Sequence, residues 1–178
     1  FNLNRASELV VNFKQIATDF HTDPKSDVNL VEWISSISTS LKPMLKSAGI
    51  QLNLELPEYA LIVNTYPSRL AQVVTNLVSN SIKHAFPNTL TRDEKIISIR
   101  LSGDATNYVI TVSDNGCGMN EQTKSHVLDP FFTTNRTAGG MGLGMSIVHS
   151  LVTGSLNGRL EIDSEQNKGT KVFSSKLT

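Results

Sequence analysis

SRLAQVVTNLVSNSIKHAF, residues 68–86, carries two patterns at once. At about 100° per residue, Leu70, Val73, Val74, Leu77, Val78, Ile82 and Ala85 fall on one face, which predicts an amphipathic helix over 69–86 packed on a core. Arg69, Asn76, Asn80 and Lys83 gather on one flank, within an arc of roughly 60°. Asparagine is a mediocre helix former, so two of them four apart are a costly way to make a helix soluble. An amide oxygen is a neutral ligand for magnesium, whose other ligands are water and phosphate oxygens. A lysine one turn on neutralises phosphate charge. A solvated polar flank is the competing reading. His84 lies at the edge of the apolar face, where it reads as packed or hydrogen-bonded rather than as a catalyst.

Downstream, IISIRLS and YVITVSD read as two strands joined by the turn GDATN, and the second runs straight into Asp114 and the glycines 116 and 118 of DNGCGM. The glycines let the backbone turn sharply and let a flat ligand come close. A carboxylate held there accepts a hydrogen bond from an exocyclic amine. Adenine offers that amine, whereas guanine's equivalent edge offers a carbonyl, which would leave the acid unpaired. An ordinary Asx turn is the alternative for DNG. Residues 114–142 otherwise read as irregular, with Phe131 and Phe132 of DPFFTT either packing under the loop or forming a docking surface.

GGMGLGMSIVHSLV, residues 139–152, then crowds Gly139, Gly140, Gly142 and Gly144 ahead of a helix-like run. Its G-x-G-x-G spacing and the preceding DPFFTTNRTA do not match the dinucleotide fingerprint, and no Gly-Lys-Ser/Thr follows. Bare main-chain N–H groups at a helix start still make an anion site, and a loop without side chains to hold it suits a lid. A plain flexible turn is the alternative. Leu143, Ile147 and Leu151 would anchor the helix on the core. RLEID and TKVFSSKL form a final hairpin around SEQNKG.

Upstream, FNLNRASELVVNFKQIATDF places Leu3, Ala6, Val10, Phe13, Ala17 and Phe20 in a heptad stripe. This predicts a helix over 1–20 that either packs on its own domain or is the stub of a helical bundle. HTDPKSD reads as a polar linker. A second helix starts near Asp27 or Asn29, turns Ile34, Ile37, Leu41 and Leu45 inward, meets a possible kink at Pro43, and ends at Gly49. IQLNLEL alternates as a half-buried strand through Ile50, Leu52, Leu54 and Leu56, and ALIVN is a short strand. Strands and helices without strict alternation predict an α/β (α+β) two-layer sandwich, a mixed, mostly antiparallel sheet covered on one face by about three helices.

Bulk composition narrows the function classes. Sixteen basic and sixteen acidic residues in 178 leave no net charge, which argues against a general nucleic-acid binder. A lone cysteine, Cys117, rules out an internal disulfide and fits a reducing, cytoplasmic setting. The apolar runs are too short to span a bilayer, and no signal peptide pattern opens the chain. The chain opens on Phe1 in mid-pattern and is read as a piece of a longer protein.

The order of these segments resembles the ATP-binding catalytic domain of bacterial sensor histidine kinases, within the superfamily shared with gyrase, the Hsp90 chaperone and MutL. NLVSNSIKH is similar to the family's N box, DNGCGM to its first glycine box, DPFF to its F box, GGMGLGMSIV to its second glycine box and KGTKVFSSKL to its Gly-Thr box. The resemblance covers roughly residues 28–178. It implies ATP and magnesium as cofactors. Asn80 would ligate magnesium with Asn76 in support, Lys83 would meet phosphate, and Asp114 would bind the adenine amine, with Gly116 and Gly118 making room for the ring. Gly140, Gly142 and Gly144 would wrap the phosphates under a mobile lid, with Arg136 as a lid cation and Thr170 beneath the adenine. His84, Met119, Phe132, Met141 and Leu143 complete the implied nucleotide contacts. Residues 1–22 would be the C-terminal stub of the dimerisation and phosphoacceptor helix, and 23–178 the catalytic domain.

There are three departures, the first two mild and the third serious. Ser81 stands where the family often has alanine, and Met141 where it often has threonine. The phosphoacceptor box is missing, since His21, His84, His126 and His149 all lie in the wrong context. The resemblance also implies that the ATP-hydrolysing branches carry a glutamate at the place of Asn76, and an amide cannot take a proton from water at neutral pH. The expected activity is transfer of the ATP γ-phosphate to a histidine on the missing phosphoacceptor domain of a homodimeric parent, then to a response regulator receiver domain. The parent is free to carry a membrane anchor elsewhere. An anti-sigma-type serine kinase, which the heptad stub speaks against, and a nucleotide-binding module without kinase activity are the alternatives.

Overall fold

In the computed structural model, which describes residues 24–90, 93–134 and 142–176, five strands form one sheet in the order β2-β4-β5-β7-β6. These are β2 (Gln51–Glu55), β4 (Ile96–Gly103), β5 (Tyr108–Asp114), β6 (Gly158–Glu165) and β7 (Gly169–Lys176). β2 runs parallel to β4, and every other pairing in the sheet is antiparallel. One face is covered. Along β4 the buried residues are Ile97, Ile99 and Leu101, while Ser98 is only partly covered and Arg100 and Ser102 are exposed. β6 repeats the period, with Leu160, Ile162 and Ser164 inward and Arg159, Glu161 and Asp163 outward. Two-residue alternation of this kind is what a sheet with one solvated face requires. The sandwich read from the sequence is therefore the observed fold. The heptad reading of residues 1–20, and the part of the lid reading that falls on residues 135–141, lie outside the described residues.

Three helices carry most of the covering layer. α1 (Leu30–Ser47) buries Leu30, Ile34, Leu41 and Leu45, with Ile37 partly buried, as its spacing predicts. Asn29 caps it by accepting from the Val31 amide at 3.3 Å. Gly49, at φ +65°, ends it, and the Ile50 amide reaches back to the Leu45 carbonyl at 3.0 Å, closing the last turn. The helix runs on through Pro43, which sits on its exposed side. α2 (Pro67–Asn80) continues into a π-helical turn, Ser81–Ala85, and every core-face residue read from the sequence is buried except Ile82, which is partly buried. α4 (Gly144–Ser150) likewise continues into a π-helical turn, Leu151–Ser155. Val148, Leu151 and Val152 anchor it; Ile147 is only partly buried.

Three local readings are corrected. Ser26–Asn29, part of which was read as linker, is strand β1 and pairs antiparallel with β3 (Ile62–Thr65) in a separate two-stranded ribbon. SDVN is short and polar, so only its partner some 35 residues away makes it a strand. β2 is an edge strand, so its apolar alternation is poorly covered and Leu54 is 40% exposed. Within the stretch read as irregular, Glu121–His126 forms a short helix, α3, capped by the Asn120 side chain on the Thr123 amide at 2.8 Å. Among the described residues no helix is long and apolar enough to cross a membrane.

One core position invites a stability test. Ser38 of α1 is 1% exposed, and its hydroxyl has no hydrogen-bond partner among the described residues. A buried, unsatisfied hydroxyl costs about 1–3 kcal/mol, and alanine is the better helix former. Ser38→Ala is expected to stabilise the fold by about 1 kcal/mol, read as a raised denaturation midpoint with unchanged slope.

Candidate functional site

A cavity of about 1110 Å³ opens between α2, α4, the end of β5 and the β6–β7 hairpin. It gathers most of the residues singled out in the sequence. Asn76, Asn80, Lys83 and His84 reach it from α2 and its π-turn, and Asp114 from the end of β5. Gly118, Met119, Phe132, Gly142, Leu143, Gly144 and Thr170 also line it. Gly116 is not part of the lining, and Arg136, Gly140 and Met141 lie outside the described residues.

Asp114 is the last residue of β5, paired with Ile97 on one side and Thr170 on the other. Its two oxygens do different work. Oδ1 accepts from the main-chain amides of Gly116 at 3.0 Å and Thr170 at 3.3 Å. Oδ2 accepts from the Ser81 hydroxyl at 2.8 Å. The Asx turn and the pocket acid are thus the same side chain. Burial pushes the Asp114 carboxyl up, while the hydrogen bonds from Ser81, Gly116 and Thr170 pull it back. Ser81, read from the sequence only as a mild departure, therefore belongs to the site. Its neighbour Asn115 serves the frame, accepting from the Ile96 amide at 2.9 Å and donating to the Glu94 carbonyl at 2.9 Å.

The two glycines after Asp114 answer to the protein's own backbone. A Cβ at Gly116 would collide with Ala85, and at Gly118, where φ is +61°, with the Glu165 carbonyl. Cys117 between them donates its amide to the Ala85 carbonyl at 2.8 Å and accepts from the Asn167 amide at 2.6 Å. The loop is clamped between the end of α2 and the β6–β7 turn, and glycine is what lets the three segments approach. The space expected for a ring at these two positions is in part space for main chain. Burial, then the Asp114 charge, push the Cys117 thiol up, which makes it a poor nucleophile.

The asparagine flank is the second half of the site. The Nδ2 atoms of Asn76 and Asn80 are buried and have no hydrogen-bond partner among the described residues. A Cβ at Gly144 would lie 2.9 Å from Asn80 Oδ1, so the glycine at the start of α4 lets that helix close on the amide. Buried amides are normally paired, so two left without partners, four residues apart, set this flank apart from an ordinary solvated helix face. Among the described residues no cluster of three His, Cys, Asp or Glu is placed to hold a metal ion. A cation here would depend on neutral amide oxygens and on its ligand's own oxygens.

The π-turn aims the remaining groups. Widening of the helix at Ser81–Ala85 turns Lys83 and His84 relative to the upstream face, and such bulges concentrate at functional sites. Burial, then the Lys83 charge, lower the His84 ring's affinity for a proton, so it is neutral at pH 7. Its Nδ1 lies 3.4 Å from the Thr134 hydroxyl. The twin phenylalanines divide: Phe132 lines the cavity beside the His126 ring, centroids 5.8 Å apart, whereas Phe131 stands 59% exposed at φ +66°.

A family profile described as histidine kinase-, DNA gyrase B-, and HSP90-like ATPase matches residues 65–177. The chain is 31% identical over 169 residues to the autoinducer 2 sensor kinase/phosphatase LuxQ of Vibrio cholerae, covering 91% of this chain and 19% of that one. It is 29% identical over 168 residues to the C4-dicarboxylate transport sensor protein DctB of Pseudomonas aeruginosa, covering 94% and 27%. The chain thus spans roughly a fifth to a quarter of the length of these curated relatives. Its fold is similar to the nucleotide-free catalytic domain of the histidine kinase ThkA, with a TM-score of 0.72 at 25% identity, over 86% of this chain and 95% of that one. With the sheet order, the clamped glycine loop and the asparagine flank already in place, the match over residues 65–177 settles the question of descent: the chain belongs to the histidine kinase-, DNA gyrase B-, and HSP90-like ATPase family, in its sensor histidine kinase branch.

Proposed function

We propose that this chain binds magnesium ATP in the cavity between α2 and the β6–β7 hairpin and passes the γ-phosphate to a histidine on a separate phosphoacceptor helix pair. The phosphate then moves to an aspartate of a response regulator. The observation that carries this reading is the sharing of one cavity by Asp114 and the unpaired amides of Asn76 and Asn80. Asp114 Oδ2 keeps acceptor capacity beside the Ser81 hydroxyl and would take the adenine amine. Asn80, supported by Asn76, would hold magnesium through its amide oxygen, and Lys83 would face the phosphates. The metal would neutralise phosphate charge.

In the transfer itself the bond from the γ-phosphorus to the bridging oxygen breaks, ADP departs, and a bond to the imidazole nitrogen forms. Such transfer needs positioning and charge neutralisation more than covalent help from the protein. The imidazole brings its own lone pair. Asn76 cannot act as a base toward water, so hydrolysis is not promoted. The test mixes this chain, γ-labelled ATP and a separately made phosphoacceptor bundle. Acid-labile label on a bundle histidine is expected. Label on serine of an added partner protein would instead make the chain an anti-sigma-type kinase, and ATP binding without transfer would make it a nucleotide-binding module.

A further inference from the structure

Behind the Asp114 wall lies a hydroxyl that does not line the cavity. Ser164, near the end of β6, is 5% exposed and sits where the inward alternation of Leu160 and Ile162 calls for an apolar side chain. Its Oγ has three polar neighbours. It accepts from the Met119 amide at 2.9 Å, donates to the Gly169 carbonyl at 3.2 Å, and lies 2.9 Å from the Thr170 hydroxyl. Met119 and Thr170 both line the cavity, and the Thr170 amide is one of the donors to Asp114.

A serine hydroxyl has one proton and two lone pairs. The Gly169 carbonyl takes the proton, and the Met119 amide takes one lone pair. Either hydroxyl can donate across the 2.9 Å contact, but with the Ser164 proton held by the carbonyl, the stronger acceptor, the remaining lone pair is left for Thr170, whose hydroxyl gives its own proton to Ser164. Thr170 Oγ1 then turns only lone pairs to the cavity. We propose that Ser164 is a specificity-determining residue: its buried hydroxyl locks Thr170 as an acceptor beside Asp114, so that this wall welcomes an amine on the purine and rejects a carbonyl. The inference rests on the nucleotide reading of the cavity. It makes base selectivity depend on a side chain that never meets the base. A half-free Thr170 hydroxyl would rotate to donate as readily as to accept, and discrimination would fall, because rejection by a polar site comes from groups left unpaired.

The test compares ADP with IDP, whose bases differ at the 6-position, amine against carbonyl. Affinities for the whole 178-residue chain are measured by titration calorimetry. The unaltered chain is expected to prefer ADP. Ser164→Ala is expected to narrow that preference by about fivefold, the worth of one hydrogen bond. Thr170→Val, which removes the acceptor while keeping the shape, is expected to narrow it likewise, and Thr170→Ser to keep it. A plain structural brace would weaken both nucleotides equally, so an unchanged ADP-to-IDP ratio in Ser164→Ala overturns the proposal. Should that variant not fold, an unchanged ratio in Thr170→Val overturns it. Equal binding of ADP and IDP by the unaltered chain overturns it too, while absence of any nucleotide binding overturns the functional reading beneath it.

Discussion

Asp114→Asn is expected to weaken ATP binding by about a hundredfold, measured by titration calorimetry, while the fold survives. The geometry decides which half of the new amide goes where. Two main-chain amides, of Gly116 and Thr170, point at Oδ1, so the amide oxygen stays there. The amide nitrogen must then replace Oδ2, next to the Ser81 hydroxyl and the cavity. An acceptor for the adenine amine becomes a donor facing it. A hydrogen bond involving a charged group contributes about 1.5–3 kcal/mol, which is one to two orders of magnitude in affinity, and the opposed donors add to the loss. Ser81 can turn its hydroxyl to accept from the new amide, so the frame keeps its bonds. Asp114→Ala is the poorer test, because it would strand three donors in a buried place. Unaltered affinity in Asp114→Asn would remove Asp114 from the base pocket.

Asn80→Ala should separate metal from base. Affinity for ADP without magnesium is expected to stay within about twofold of the parent, the gain in ATP affinity on adding magnesium to vanish, and label transfer to the phosphoacceptor bundle to fall by at least about a thousandfold. In the parent chain a chelator should reproduce the loss of affinity; in Asn80→Ala it should change nothing. Stability should move the other way. The Asn80 amide nitrogen is buried without a partner, and the residue ends α2, where alanine is the better helix former. The variant is therefore expected to melt no lower than the parent, a trade of stability for function common at binding sites. Full transfer by Asn80→Ala would rule out its part in holding the metal.

How far the sequence reached varies by element, and the physics explains the pattern. α1 and α2 were legible because their buried faces recur every three to four residues, and α1 also has local cap signals in Asn29 and Gly49. The final hairpin was legible from its alternation and its turn residues. β1 was not, because a four-residue segment with a single apolar side chain, Val28, becomes a strand only against β3. The poor cover of β2 was not, because its alternation says nothing about its place at the sheet edge. Within the site, Asp114 and the asparagine flank stood out as chemistry at odds with plain solubility. Ser81 did not, since a serine in a helix has many innocent reasons. Ser164 had a faint signal, a hydroxyl in the inward row of β6, that alternation alone could have raised.

Periodicity is written in neighbours two to four positions apart, so the chain by itself determined its three long core helices, most of its strands, the order of its glycine-rich segments and hence its family. Hydrogen-bond partners are another matter. Ser81 lies 33 positions from Asp114, and Thr170 lies 56 from it. Which oxygen of the acid is occupied, which amides stay unpaired and which way the Thr170 proton points depend on how β5, β7 and α2 close on one another. Only the packed structure decided these, because a donor and an acceptor find each other through the shape of the whole core and not through their spacing along the chain.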